Sequence, residues 1–271
     1  MTLRILVPTD FSPAAGAALA VVRAAFPNAR TELLHVAPVR GRPEQAEVLR
    51  VQLDALGGRS VAFGAAAPEI LRQAREGHFD LIALGRVGPR GPERGRIGAV
   101  AERVLREAPM PVLTVPPESP ALRPARVLAL MDFSQEALRA VDFVARCWPG
   151  AEIHHLHVVN PSALDVPFPL PALRTPALRS ATSRALQERN ALWEQEARRR
   201  LDDLGGGELA WGYPAEVALK RARRGGYGLL ALGASVKGGF DRLMFGSVAR
   251  QVVCESPLPV LTARRAAGAG A

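Results

Sequence analysis

The feature that most constrains the fold is an internal repeat. Arg4-Ile5-Leu6-Val7-Pro8-Thr9-Asp10-Phe11-Ser12 lines up with Arg126-Val127-Leu128-Ala129-Leu130-Met131-Asp132-Phe133-Ser134, and the register holds without a gap to His35-Val36 against His157-Val158. Leu84-Gly85 then matches Leu232-Gly233, in a second register that runs to Pro111-Val112-Leu113-Thr114 against Pro259-Val260-Leu261-Thr262. Self-similarity on this scale fixes what the folding unit is. Here the unit is half of the 271-residue chain, which also suits the usual domain size of about 100 to 150 residues. The repeat divides the chain into residues 1–117 and 123–265, with extra residues near 160–180 in the second copy.

Composition limits the class. A hydrophobic content of 48% is that of a globular protein able to fill two cores, and no apolar run reaches the roughly 18 residues of a membrane span. The N-terminal residues lead straight into the first repeat, so no signal peptide and a cytoplasmic protein are expected. Cys147 and Cys254 are the only cysteines and the repeat does not equate them, which gives neither a disulfide framework nor a zinc spacing. The net charge of +9 comes almost wholly from arginine, since Lys220 and Lys237 are the only lysines. Such a charge permits anionic partners without choosing among them.

Each copy opens with an apolar run suited to a strand buried on both faces of a parallel sheet. Asp-Phe-Ser follows, then a stretch of helical periodicity. Ser12-Pro13 reads as an N-cap followed by proline at the first helical position, and Pro27 and Pro149 end the first helix of each half. Further strands are expected at 32–36, 60–63, 81–84 and 112–115, with counterparts at 153–159, 208–211, 229–232 and 260–262. Helices are expected at 45–56 and 100–107 and, in the second copy, at 186–201 and 248–255; others open at Pro68 and Pro214. Pro161, Pro167, Pro169, Pro171 and Pro176 predict an irregular insertion, Pro116 to Pro120 an extended linker, and residues 266–271 a loose tail. Strands alternating with helices give an α/β class with two open parallel sheets in tandem.

Ligands of open parallel sheets bind beyond the carboxyl ends of the strands. Two features fall there: Asp10 or Asp132 after the first strand, and a glycine-spaced loop after the fourth. In the first copy the loop runs Gly85-Arg86-Val87-Gly88, nine residues, then Gly98-Ala99 at a helix start, with Arg86, Arg90, Arg94 and Arg96 adding charge. Helix N-termini attract phosphate through unpaired N–H groups. Glycines after a strand also serve as plain turn residues, and Pro89 and Pro92 remove two amides, so spacing alone leaves both readings open. No lysine follows a glycine in a G-x-x-x-x-G-K-[ST] loop. His155 and His157 share one strand face, as metal ligands can, although a hydrogen-bonded core histidine is commoner. No histidine completes a triad with Ser12, and Arg198-Arg199-Arg200 reads as a solvated helix face.

Pro8-Thr9-Asp10-Phe11-Ser12, Gly85-x-x-Gly88-x9-Gly98 and Pro109-x-Pro111-Val112-Leu113 together resemble the universal stress protein family, and both halves share the resemblance. It implies five-stranded parallel sheets flanked by helices, of the Rossmann-like, adenine nucleotide alpha hydrolase-like kind. It also implies pairing of the two domains through their last strands as an internal pseudo-dimer, with a further homo-dimer open. In the ATP-binding branch the corresponding site falls on Pro8, Thr9, Asp10, Val36, Gly85, Gly88, Gly98, Ala99 and Val100. The second copy offers Asp132, Val158, Gly233, Gly246, Ser247 and Val248. Ala99 replaces a family hydroxyl worth about 1.5 to 3 kcal/mol to a charged ligand. Val236 stands where the second glycine of the loop belongs, and Leu130 and Met131 replace Pro8 and Thr9, so the first half is the preferred nucleotide site.

The expected function is therefore that of a stress-response protein that binds ATP, with Mg2+ held by the phosphates, or AMP or ADP, and acts as a regulatory module rather than an enzyme. Two alternatives stand beside it: a nucleotide-free interaction module, and a weak ATPase. No membrane or nucleic-acid partner is expected, because the basic run lacks interleaved aromatics.

Overall fold

A computed structural model of the chain describes residues 2–38, 43–58, 60–88, 96–160, 176–234 and 245–264; of residues 43–46, 176–187 and 189 it describes the backbone alone. The first half runs β1 (Arg4–Pro8), α1 (Pro13–Ala25), β2 (Arg30–Ala37), α2 (Pro43–Ala55), β3 (Ser60–Phe63), α3 (Ala66–Glu76), β4 (Leu81–Gly85), α4 (Ala99–Glu107) and β5 (Val112–Val115). The second runs β6 (Arg126–Met131), α5 (Gln135–Cys147), β7 (Glu152–Val159), α6 (Pro176–Asp203), β8 (Glu208–Trp211), α7 (Pro214–Arg224), β9 (Leu229–Gly233), α8 (Ser247–Glu255) and β10 (Val260–Ala263). Every strand named from the sequence is present, with ends moved by a residue or two.

The strands form one ten-stranded sheet in the order β3-β2-β1-β4-β5-β10-β9-β6-β7-β8. Within each half all pairs are parallel. The halves join where β5 meets β10 antiparallel, with Leu113 opposite Leu261 and Thr114 opposite Val260. Pairing through the last strands removes two exposed sheet edges at once. Thr114 and Thr262, both buried, donate their hydroxyls across the junction to the carbonyls of Val260 and Val112.

Each face of the sheet carries an apolar layer that crosses the junction. One holds Leu6, Ile82, Leu128 and Leu230 under α3, α4, α7 and α8. The other holds Ile5, Val7, Leu113, Leu261 and Val127 under α1 and α5. Trp148, 1% exposed at the end of α5, stacks on Phe26 of the first half with ring centroids 4.8 Å apart and donates its indole N–H to the Ala25 carbonyl at 2.8 Å. The two repeats share their cores.

Three local expectations change. Pro176, placed with the irregular insertion, opens α6, where a missing amide would have had no partner anyway; Pro161, Pro167, Pro169 and Pro171 lie outside the described residues, as do residues 266–271. α3 begins at Ala66, so Pro68 sits inside its first turn for the same reason. The linker is not simply extended: Ser119 N–H bonds the Pro116 carbonyl at 3.2 Å across a turn in which Pro117 fixes φ.

Candidate functional site

The corner after the first strand is built twice from the same parts. Asp10 Oδ1 accepts the Ser12 amide at 3.0 Å, and Ser12 Oγ accepts the Ala15 amide at 3.2 Å as the N-cap of α1. Asp132 and Ser134 repeat both bonds at 3.0 and 3.1 Å. Between them Phe11 and Phe133 are held at φ 62° and 59°, a left-handed backbone that costs a bulky residue of order 1 to 3 kcal/mol. The ring of Phe11 lies 4.8 Å from that of His35, and the ring of Phe133 lies 4.6 Å from that of His157. Each histidine donates Nδ1–H back to the corner, to the Thr9 carbonyl at 2.8 Å and the Met131 carbonyl at 2.7 Å. This accounts for His35 and His157. His155 bonds the Gly206 carbonyl at 3.1 Å and His154 pairs with Glu152 at 2.6 Å; among the described residues no three His, Cys, Asp or Glu gather around a metal position.

The corner delivers Asp10 to the glycine loop. A Cβ on Gly88 would stand 3.3 Å from Asp10 Oδ2, so the two residues are neighbours. Gly98 N–H bonds the Arg86 carbonyl at 2.9 Å, which folds the loop onto the start of α4. Neither Gly98 nor Gly246, the N-caps of α4 and α8, brings a capping side chain, and the first-turn amides, those of Ala99, Val100, Ser247 and Val248 among them, form an anion-favouring end.

The glycines are needed for reasons other than backbone freedom. None of Gly85, Gly88 and Gly98 lies in the left-handed region, so in the first half backbone conformation alone does not demand glycine at these positions. Val236 itself lies outside the described residues, as do Arg90, Arg94, Pro89 and Pro92. Gly85 and Gly233 are packing glycines: a Cβ would stand 2.6 Å from the Ala14 carbonyl carbon in one half and 2.7 Å from the Ala137 nitrogen in the other.

Arg86 is likewise not a phosphate ligand. Its guanidinium crosses to the second half and donates to the carbonyls of Ser256 at 2.6 Å and Val253 at 3.4 Å, at the C-terminal end of α8. Those carbonyls have no helical partner and carry the negative end of the helix dipole. Burial holds the Arg86 pKa below the ordinary arginine range. Arg86→Ala is expected to lower the stability of the whole chain by about 2 kcal/mol in urea unfolding, because it removes a charged donor from acceptors on the buried Val253 and Ser256. An unchanged midpoint would show that the bridge contributes nothing.

In the second half the walls enclose a cavity of about 590 Å³ at the carboxyl ends of β6, β7 and β9. Asp132, Val158, Gly233, Gly246, Ser247 and Val248 all line it. The structure therefore brings together every residue named for this half from the sequence. It also adds a wall the sequence reading missed: Trp193, Glu196, Ala197 and Arg200, one stripe along α6. Their spacing along one helix face is the signal, and it overlaps the arginine run whose solvated reading holds, since Arg200 keeps half of its side chain exposed while lining the cavity. Arg198 pairs with Glu194, and Arg199 pairs with Glu196 of the wall. Arg200 instead lies with its guanidinium 5.5 Å over the Phe133 ring and its Nε 2.8 Å from Glu196. Hydrogen bonds from Arg199 and Arg200 hold the Glu196 carboxyl down to about 2. In the first half Pro8, Thr9, Asp10 and Val36 take the equivalent places at the ends of β1 and β2.

The model of the universal stress protein family matches residues 58–116 and 125–264 of this chain. Among solved structures, a universal stress protein from Archaeoglobus fulgidus DSM 4304 superposes with a TM-score of 0.65 at 19% identity, over 97% of this chain and 98% of that one. A functionally unknown protein from Pseudomonas aeruginosa PAO1 gives 0.63 at 15%, over 97% and 93%. At such identities the likeness establishes the two-domain fold. No curated protein matches the sequence.

Proposed function

The chain belongs to the universal stress protein family, and from that premise we propose that it binds an adenine nucleotide at the carboxyl edge of its sheet and uses it as a regulatory signal. The observation that carries this reading is the 590 Å³ cavity walled by Asp132, Gly233 and the first turn of α8. Its volume falls within the roughly 300 to 1,000 Å³ of small-molecule sites, and it combines apolar walls with a helix N-terminus. Ser247 supplies the hydroxyl that Ala99 lacks. The second crevice is thus the stronger candidate, with the first crevice at Asp10, Gly88 and Gly98 as a second site that has lost one ligand contact.

A signalling role fits the corner chemistry better than turnover. One oxygen of Asp132 already accepts the Ser134 amide, which fixes the strained Phe133, and so the carboxylate serves the backbone before it could serve as a base. A divalent ion accompanying ATP would be held by the phosphates.

Thermal unfolding with and without Mg-ATP, ADP or AMP tests the reading. At a concentration 100 times its dissociation constant a nucleotide stabilises by about 2.7 kcal/mol, several degrees for a chain of this size. Gly246→Val should remove most of the shift relative to its own ligand-free midpoint, whereas Gly88→Val should keep most of it. No shift with any of the three nucleotides would overturn the proposal and favour a nucleotide-free interaction module.

A further inference from the structure

The α6 wall gives the second crevice a chemistry that the first does not share. The turns that follow α2 and α6 are equivalent: Gly58 N–H bonds the Leu53 carbonyl at 2.9 Å, and Gly206 N–H bonds the Leu201 carbonyl at 2.8 Å. Leu53 and Leu201 are both fully buried beneath those turns, which fixes the alignment of the two helices. Counted back from them, Trp193 corresponds to Gln45, Glu196 to Val48 and Arg200 to Gln52. The repeat keeps the packing end of the helix and changes the stripe that in the second half lines the cavity.

That stripe is arranged for a flat anionic ligand. Trp193 lines the cavity yet keeps 51% of its surface exposed, an indole with a face left over after packing. The next turn brings Ala197, small and buried, so the wall between Trp193 and Arg200 is low. Arg200 is held along its edge by Glu196 and from below by the Phe133 ring, a geometry in which a guanidinium is positioned before any ligand arrives. Arg199 and Arg200 share the Glu196 carboxylate and Arg199 also pairs with Asp203 at 3.8 Å, so the positive charge the wall offers the cavity is that of the Arg200 guanidinium, partly offset by Glu196.

Resting on the reading above, the geometry points to a division of labour in the second crevice: Trp193 is the platform on which a purine base stacks, and Arg200 supplies the positive charge that favours a phosphorylated purine over its nucleoside. A two-ring base overlaps an indole more fully than a one-ring base, so the platform discriminates purine from pyrimidine nucleotides. With glutamines in the equivalent places, the first crevice lacks this preference.

The test uses the full chain carrying Trp211→Phe, which leaves Trp193 as its solvent-facing tryptophan while Trp148 stays buried in the domain junction. ATP should quench the indole fluorescence saturably and bind on the order of tenfold more tightly than CTP, the scale of a single base-stacking contact. Trp193→Ala should abolish the quench and, by calorimetry, weaken ATP by about the same factor, with Trp193→Phe recovering most of it. Arg200→Gln should weaken ATP several-fold and leave adenosine unchanged. ATP affinity unaltered by Trp193→Ala, or equal affinities for ATP and CTP, would overturn the inference. If Gly246→Val still abolished ATP binding in that case, the proposed site would stand without the platform; if wild-type protein bound no nucleotide, both would fall.

Discussion

Replacing Leu261 with aspartate is expected to unfold both halves of the protein together, at a cost above about 4 kcal/mol. Leu261 has no exposed surface and faces Leu113, 1% exposed, across the antiparallel junction of β5 and β10. Among the described residues Leu261 packs in an apolar layer, so a carboxylate there would be stripped of water, which makes an isolated buried charge so costly. Leu261→Ala should cost about 2 to 5 kcal/mol from lost transfer energy and the cavity left behind. The damage is shared because the apolar layer under α1 and α5 runs through the junction, and Trp148 bonds Ala25 across it. Urea unfolding followed by both circular dichroism and tryptophan fluorescence should give one transition in wild type and in Leu261→Ala. Two separated transitions, or a Leu261→Asp protein within about 1 kcal/mol of wild type, would mean that the halves are independent beads rather than one cooperative unit.

The strands were legible because each is a short apolar run set between proline, glycine or a capping serine, and the repeat let each half check the other. The Asp-Phe-Ser corner was legible as a cap, since Ser12 bonding Ala15 is a local rule. What the sequence did not reveal was tertiary. Arg86 follows a glycine in a basic loop and reads as a ligand for phosphate; only the antiparallel pairing of the halves brings the end of α8 within its reach. Arg200 reads as one of three solvated arginines and is indeed half exposed; only the packing of α6 beside β7 shows that its guanidinium also lies over Phe133. The left-handed Phe11 and Phe133 have no signature at all, because neither residue type favours that backbone and the strain is held by Asp10, Asp132 and the paired histidines.

Gly85 and Gly233 carry the second large effect, and they separate two explanations of the glycine-spaced loop. If these glycines exist to let phosphate approach, valine there should spare the apoprotein and destroy binding. The structure predicts the opposite order. A Cβ at Gly85 would stand 2.6 Å from the Ala14 carbonyl carbon and 2.8 Å from the Ala15 nitrogen, and at Gly233 2.7 Å from the Ala137 nitrogen. Those are backbone atoms in the first turns of α1 and α5, which cannot swing aside as a side chain could. The helix would have to lift off the strand end, opening the core beneath it and pulling the Ser12 or Ser134 cap out of register. Overpacking typically costs about 1 to 3 kcal/mol, and a clash with backbone that cannot move aside lies at the upper end of that range. Gly85→Val and Gly233→Val should therefore lower the urea midpoint sharply with no nucleotide present. Gly98→Ala, whose Cβ would have nothing nearer than 3.5 Å, should cost only about 1 kcal/mol for the poorer N-cap, and Gly88→Ala, which meets only the tip of Asp10 at 3.3 Å, should stay within about 1 kcal/mol of wild type. Within one motif, then, the first glycine is held by the fold and the later two are the ones free to serve a ligand. A Gly85→Val protein of wild-type stability that failed to bind nucleotide would reverse that assignment.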